Sequence, residues 1–213
     1  PVPFNSEDIF GGLGTRGYHY TNPFVPQEIA DAAVAANADN PDWNGEIPFI
    51  RRLQEFGNRG SSNTRETFRL ALGMAGNLGD IDYDWYYQYG KADRVQTSGA
   101  YNALNFRSAL DATTDANGNI VCADEADRAA GCVPISVFGI GAITPEAANW
   151  VAYESMRFSE NEQQVLGLNF TSNFELFGRS IGWAAGAEYR KEYSDDNPDD
   201  LQQLGLNGSN VVP

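Results

Sequence analysis

Basic residues are scarce in this sequence. Lysine and arginine together number 14 against 29 aspartates and glutamates, which gives a formal net charge of -15 at pH 7. Nucleic-acid phosphates are bound mainly by clusters of lysine and arginine, and the chain has no such cluster. The composition therefore argues against nucleic acid as a partner and predicts an acidic surface with well-solvated loops.

Long apolar runs are also missing. No stretch of about 18 consecutive apolar residues occurs, which excludes a transmembrane helix but not membrane strands, whose alternating pattern is weaker. The chain starts with PVPFNSEDIF, which has neither the basic start nor the apolar stretch of a signal peptide. Both ends are loop-like in composition, and we expect the chain to be a piece of a longer protein.

Histidine and cysteine are almost absent. His19 is the single histidine, and Cys122 and Cys132 are the only cysteines, so a zinc site lacks ligands. The two cysteines lie in a polar, Asp- and Ala-rich loop, where they form either a disulfide or two free thiols. A buried thiol would be unusual in such a loop, so the disulfide is favoured, and it implies an oxidising compartment.

No catalytic motif is present. The sequence contains no nucleophile elbow and no P-loop, and His19 is best interpreted as a loop residue. The glycine-rich runs GGLG (11–14) and GIGA (139–142) do not open a helix after a strand, as phosphate binding requires. Asp80, Asp82 and Asp84 lack the remaining ligands of a calcium loop and are interpreted as lumen-facing or turn acids. Asp195, Asp196, Asp199 and Asp200 are interpreted as a solvated charge cluster, with calcium binding in a loop as the alternative. We therefore expect no enzyme activity, no cofactor and no metal site.

The central stretch, residues 64–91, alternates in character at every second position. Its arms, 64–78 and 81–91, each place apolar residues on one face and mostly small or polar residues on the other. Successive side chains leave a strand on opposite faces, so this pattern predicts two strands joined by a turn at Gly79-Asp80. The implied register sets these residues opposite each other: Leu78 and Ile81, Met74 and Trp85, and Leu70 and Tyr89.

The same pattern returns near the end of the chain. Segments 163–176 and 181–193 alternate in the same way, and residues 177–180 (FGRS) separate them as a turn. The remaining sequence predicts loops: 1–63, with a short helix at 26–36 and a strand at about 47–56; 92–160, with helices at 102–112 and 145–154; and 194–213. So long a connection between strands is normally functional.

Alternation alone fits both a soluble β-sheet and a membrane β-barrel. Three features favour the barrel: arms of roughly ten or more residues, tight turns that alternate with a very long loop, and aromatic residues along the apolar faces. Tyrosine and tryptophan suit membrane interfaces because the ring is apolar while the polar atom stays wet. The predicted interface aromatics are Tyr83, Trp85, Tyr87, Tyr89, Phe174, Trp183 and Tyr189.

Several motifs together resemble one known family. RRLQEFGNR, ETFRLALGMAGNLG, YDWYYQYGKAD, NFRSALDA, the block from GNIVC to AANWV, and GWAAGAEYRKE are similar to the barrel part of TonB-dependent receptors. The resemblance covers about residues 46 to 193, and NPFVP near Asn22 fits an outer loop. It implies a 22-stranded outer-membrane barrel with an N-terminal plug, driven by the TonB complex, that imports an iron chelate, cobalamin or an oligosaccharide.

The fold expected is therefore all-β: an antiparallel transmembrane β-barrel segment whose long extracellular loops carry short helices. The plug domain is absent from the sequence, and the visible strands are too few to close a barrel. The expected partners are outer-membrane lipid, the rest of the barrel and plug, the TonB complex and a small-molecule cargo.

In such a receptor, outer loops contact the cargo, which aromatic rings, amides and arginine can bind. The candidate ligand-binding residues are Tyr101, Asn102, Asn105, Arg107 and Trp150. The alternative is a secreted acidic β-rich module that binds sugar or calcium, with Tyr83, Trp85 and Tyr87 in a soluble core.

Overall fold

The computed structural model describes residues 4–5, 18–56 and 60–208. The described chain is mostly antiparallel β-structure. Its strands are β1 (Phe4–Asn5), β2 (Tyr18–His19), β3 (Glu46–Ile47), β4 (Ile50–Arg51), β5 (Ser61–Leu78), β6 (Ile81–Tyr101), β7 (Ala112–Thr114), β8 (Ile120–Cys122), β9 (Ala152–Leu176) and β10 (Arg179–Pro198).

Helices are short and lie between the strands. They are α1 (Gln27–Ala36), α2 (Ala103–Leu110), α3 (Glu125–Ala129), α4 (Pro145–Val151) and α5 (Asp200–Gln203), with a 3-10 turn at Gln54–Phe56. Within the described ranges, no helix is long and apolar enough to cross a membrane.

The chain divides into two compact units. We call Ser62–Thr97 with Met156–Pro198 the sheet unit, and Pro1–Ser61, Ser98–Ser155 and Asp199–Pro213 the loop unit. The sheet unit consists of the two predicted hairpins. Its strands lie in one open antiparallel sheet in the order β10-β9-β6-β5, so the middle pair joins the two hairpins and β5 and β10 form the edges.

Both hairpins close through two-residue turns that need positive φ. Gly79 has φ 67° in the first, and Phe177 and Gly178 have φ 52° and 71° in the second. The two consecutive positive φ values of the second turn define a type I′ turn, which matches the twist of the flanking strands. Strand β10 resumes at once, with Arg179 paired to Leu176, so the predicted four-residue turn at 177–180 was too long.

Side-chain contacts across the first hairpin agree with the predicted register. If Leu78 lies opposite Ile81, then Asn77 faces Asp82 and Gly76 faces Tyr83. The Asn77 amide does donate a hydrogen bond to the Asp82 carboxylate. A Cβ atom on Gly76 would lie 2.9 Å from the Tyr83 hydroxyl oxygen, so the Tyr83 ring covers this glycine.

The strands are longer than their apolar alternation indicates. Strand β6 continues to Tyr101, β9 begins at Ala152 and β10 continues to Pro198, so the predicted loop 92–160 is reduced to the residues between Tyr101 and Ala152, and the loop at 194–213 begins later than predicted. These extensions are mostly polar, with Met156 and Phe158 as exceptions in β9, and they lack a sustained period of two in hydrophobicity that could reveal them. Helix α4 ends at Val151, earlier than predicted, because β9 starts there.

The predicted strand at 47–56 was wrong. Its residues form two two-residue strands, β3 and β4, and a 3-10 turn. Strand β3 pairs with β2, whereas β4 pairs with β1. Arg51, the last residue of β4, forms an ion pair with Glu55 four residues later.

The loop unit has its own hydrophobic core. Helix α2 begins at Asn102, whose side chain accepts hydrogen bonds from the backbone N–H groups of Leu104 and Asn105, and this capping fixes the helix start. Its buried face packs with α4 and the chain around Ile135. The disulfide between Cys122 and Cys132 is present, as predicted, and closes the loop that contains α3.

Tyr18 ties the amino-terminal segment into this core. Its ring is 1% exposed, its hydroxyl donates to the Ile135 carbonyl, and the Val137 N–H donates back to the hydroxyl oxygen at 3.2 Å. Burial raises the pKa of the Tyr18 phenol well above its ordinary value. The phenol therefore stays neutral and serves as a structural hydrogen-bonding group.

Tyr86 links three strands of the sheet unit across a glycine. Its ring lies over Gly167 on β9, where an added Cβ would be 2.3 Å from Tyr86 Cε1. Its hydroxyl donates to Glu188 Oε2 on β10 at 2.9 Å, and Glu188 is the register partner of Gly167. The glycine thus leaves the space through which β6 reaches β10.

We predict that Gly167→Ala destabilises the sheet by about 1–3 kcal/mol, because the methyl group displaces the Tyr86 ring and breaks its hydrogen bond. The free energy of unfolding by urea is measured in detergent micelles, with tryptophan fluorescence as the signal that monitors unfolding. Gly90→Ala is the matched control, since nothing lies within 4 Å of a Cβ added there. An equal effect of both substitutions, or an undiminished Gly167→Ala effect in a Tyr86→Ala background, would contradict the interpretation.

Candidate functional site

One face of the sheet unit is apolar and exposed. Large apolar side chains are normally buried, yet Phe68 is 59% exposed, Leu78 66% and Tyr189 63%. The same face carries Leu70, Leu72, Met74, Ile81, Leu166, Leu168, Phe174, Leu176, Ile181 and Trp183, each at least 37% exposed. The sheet unit contains no second layer, because its residues are those of the four strands and their turns.

The apolar residues form a band of nearly constant height. It runs from the two turns to a line through Phe68, Tyr89, Leu166 and Tyr189, and we call it the apolar band. At ~3.3 Å per residue, ~10 residues of strand extend ~33 Å, or ~25 Å across the band for a strand tilted by about 40°. This is about the height of the outward apolar band in known membrane barrels.

Charged residues begin immediately beyond the band. Lys91 follows Tyr89 on the same face, and its Nζ lies 2.9 Å from Glu160 Oε2 and 3.7 Å from Glu162 Oε1. The Tyr89 hydroxyl donates to Glu162 at 3.1 Å. Tyr89 therefore lies where charged side chains begin, and farther along the same face only isolated apolar side chains follow, such as Phe158 and Tyr193.

The opposite face of the sheet is polar. Asn169 donates to Asp84 at 3.0 Å, and Arg190 lies 3.0 Å from Glu188, the carboxylate that Tyr86 also reaches. Between these groups are small residues, mainly glycine and alanine. The sheet thus separates an apolar surface from a hydrogen-bonded, charged one across a single layer.

The predicted interface aromatics occupy two kinds of position. Tyr89 and Tyr189 lie at the charged border of the band. The other five lie within it, nearer the turns, and their side chains range from half-buried to exposed: Tyr83, Trp85, Tyr87, Phe174 and Trp183.

The predicted ligand-binding residues belong to the loop unit but do not converge on one site. Tyr101 is 3% exposed and packs in the core, Asn102 caps α2, and Asn105 Nδ2 donates to the Trp150 carbonyl at 2.9 Å. Arg107 is exposed. Trp150 Nε1 is buried without a hydrogen-bond partner in the described part of the chain.

A cleft of about 340 Å³ lies beside Tyr101 in the loop unit. Its walls include Leu53, Phe56, Tyr153 and Glu154. The Tyr153 hydroxyl donates to the Asp199 carboxylate, to which Ser155 Oγ also donates at 2.8 Å. Asp199 caps α5 as well, so it is a structural acceptor here and not one of a solvated acidic cluster.

Aspartate and glutamate do not form a metal site in the described residues, where no group of three His, Cys, Asp or Glu side chains is placed to hold an ion. The role of Asp199 was missed from the sequence, although Asp before Asp-Leu-Gln-Gln fits a helix N-cap. Its hydrogen bonds to Tyr153 and Ser155 join residues more than forty positions apart, which no local pattern reveals.

Comparison with known proteins does not identify the chain. No protein-family model matches the sequence, and no curated protein is significantly similar to it. The resemblance to TonB-dependent receptors therefore depends on the motifs alone, and the physical case for a function depends on the sheet unit.

We predict a pH-dependent loss of stability from Tyr153. Burial and, next, its hydrogen bond to Asp199 raise the pKa of Tyr153 to about 12, from 10.0. The fold favours the neutral phenol, so this stabilisation is complete below pH 10 and is lost as the pH rises from 10 to 12. The melting temperature of the native protein should fall more steeply across this range than that of Tyr153→Phe, and identical slopes would contradict the assignment.

Proposed function

We propose that the chain forms one sector of the barrel of a TonB-dependent outer-membrane receptor, which imports a scarce nutrient by energy-coupled transport. The observation that carries the proposal is the apolar band on one face of a single-layer sheet whose other face is polar. The band is about as tall as the outward apolar band of membrane barrels, and charged residues begin at its edge.

The energetics favour lipid on the apolar face. Leaving a large apolar side chain in water forfeits roughly 1.5–3 kcal/mol of burial free energy. The dozen or so side chains of the band are roughly half exposed, so the total is on the order of 10–15 kcal/mol, comparable to the whole stability of an ordinary domain. Lipid contact recovers this free energy on one face, whereas the hydrogen-bonded groups of the other face need water or polar protein.

The edges of the sheet require further strands. Unpaired backbone N–H and C=O groups cost several kcal/mol each in lipid, so an open sheet cannot stand alone in a bilayer. Strands from the rest of the barrel would pair with β5 and β10, and a plug would face the polar surface. The family resemblance supplies these partners, together with the TonB complex.

The loop unit would then lie outside the membrane and face the cargo: an iron chelate, cobalamin or an oligosaccharide. Its disulfide suits an oxidising exterior. Of the candidate ligand residues, Arg107 is exposed, whereas the indole N–H of Trp150 is buried, so Arg107 is the one best placed to contact cargo. Tyr101, Asn102 and Asn105 have structural contacts that account for their presence.

We predict that Leu72→Arg weakens folding into lipid vesicles by about 2–4 kcal/mol, the cost of arginine on the lipid face near the bilayer centre. Ala71→Arg is the matched control, because residue 71 is adjacent at the same depth and lies on the polar face. The measurement is a urea titration of the folded fraction of the full-length protein in vesicles.

Retention of vesicle folding by Leu72→Arg, together with a native protein that stays monomeric without detergent, would contradict the receptor proposal. A secreted β-rich binding module would then be the better account, since Leu72 is 54% exposed and arginine in its place would improve solubility in water.

A further inference from the structure

Three aromatic rings of the loop unit stack at its surface. The His19 and Tyr20 ring centroids are 4.7 Å apart, and those of Tyr20 and Trp43 are 5.6 Å apart, with interplanar angles of 36° and 33°. We call this group the aromatic platform. His19 and Tyr20 are exposed and Trp43 is half-buried, so the rings are accessible to solvent.

The backbone holds the platform in place. Strand β2 pairs with β3 through His19 and Glu46, and the Tyr20 N–H donates to the Gly45 carbonyl at 2.8 Å. Gly45 has φ 84°, and a Cβ there would lie 2.4 Å from His19 Nε2. Only glycine therefore allows the His19 ring to lie against this turn.

Side-chain hydrogen bonds fix the outer rings. Trp43 Nε1 donates to the Glu46 carbonyl at 3.0 Å, and His19 Nδ1 lies 2.7 Å from Thr21 Oγ1. The rings are thus ordered before any ligand arrives, which reduces the entropy cost of binding.

The platform rings are not part of the hydrophobic core of the loop unit. Neighbouring Tyr18 is 1% exposed and packs with the core residues, whereas Tyr20 is 36% exposed and lies outside that cluster. Rigid, exposed aromatic rings that add little to folding are characteristic of binding surfaces, because they offer contact area at a low entropy cost.

Hydrogen-bond donors and acceptors lie next to the platform residues in the chain. Exposed polar residues flank the ring residues in the chain and supply two amides, one carboxylate and one hydroxyl: Asn40, Asn44, Asp42 and Thr21. A sugar ring has an apolar C–H face that stacks on an aromatic ring and hydroxyls that both donate and accept hydrogen bonds. An organic cation would use only the acceptors.

We propose that the aromatic platform is a saccharide-binding surface. The sugar stacks on Tyr20 and Trp43, and its hydroxyls bind the neighbouring amides and the Asp42 carboxylate. All of these residues lie within the loop unit, so the platform binds sugar whether or not the sheet unit spans a membrane.

The test is isothermal titration calorimetry of the full-length protein with four probes: maltohexaose, cellohexaose, laminarihexaose and xylohexaose. At least one probe should bind. Tyr20→Ala and Trp43→Ala should each weaken that binding about tenfold or more, as loss of a central aromatic contact does. Tyr20→Phe keeps the stacking ring and should bind within about threefold of the native protein.

Ile140→Ala is the matched control, because Ile140 is a fully exposed apolar side chain of the same unit outside the platform. Sugar binding by this variant should equal that of the native protein.

Tyr20→Ala removes no side-chain hydrogen bond of the platform and keeps the backbone bond to Gly45, so it remains informative if Trp43→Ala fails to fold. Failure of all four probes, or native affinity in folded Tyr20→Ala, overturns the proposal. Failure of the native protein to fold into vesicles, with sugar binding retained, would contradict only the receptor proposal.

Discussion

The exposed apolar face of the sheet unit is the constraint on which the account depends. A single-layer sheet with one apolar and one polar face has no stable arrangement in water, because nothing within the sheet unit covers the apolar band. Either lipid or another protein layer must cover it. The bilayer that we propose would account for both the height of the band and the charged residues beyond Tyr89, whereas a packed protein layer would require neither.

The two units are stabilised by different interactions. The loop unit has a core around Phe106 and Ile135, capped helices and a disulfide. The sheet unit has backbone hydrogen bonds and links such as Tyr86 over Gly167. The loop unit can therefore vary its surface residues, among them the aromatic platform, without loss of the contacts that hold the sheet together.

The sequence predicted the structural features that depend on local or periodic patterns of residues. It predicted both hairpins, because their alternation sets the register, and the disulfide, because only two cysteines exist. It missed the polar strand extensions, such as those beyond Lys91, since hydrophobicity does not alternate there. The platform was also missed: Tyr20 and Trp43 are distant in sequence, and their rings come together through the pairing of β2 with β3. The interpretation of Asp199 as solvated failed for the same reason.

The most direct measurement of the central claim uses the four tryptophans, of which Trp85 and Trp183 lie in the sheet unit and Trp43 and Trp150 in the loop unit. The protein is reconstituted into vesicles of lipids brominated along the acyl chain, which quench nearby indoles. We predict strong quenching in Trp43→Phe/Trp150→Phe, which keeps only the sheet tryptophans, and little in Trp85→Phe/Trp183→Phe. Equally weak quenching in both would show that the apolar band does not contact lipid.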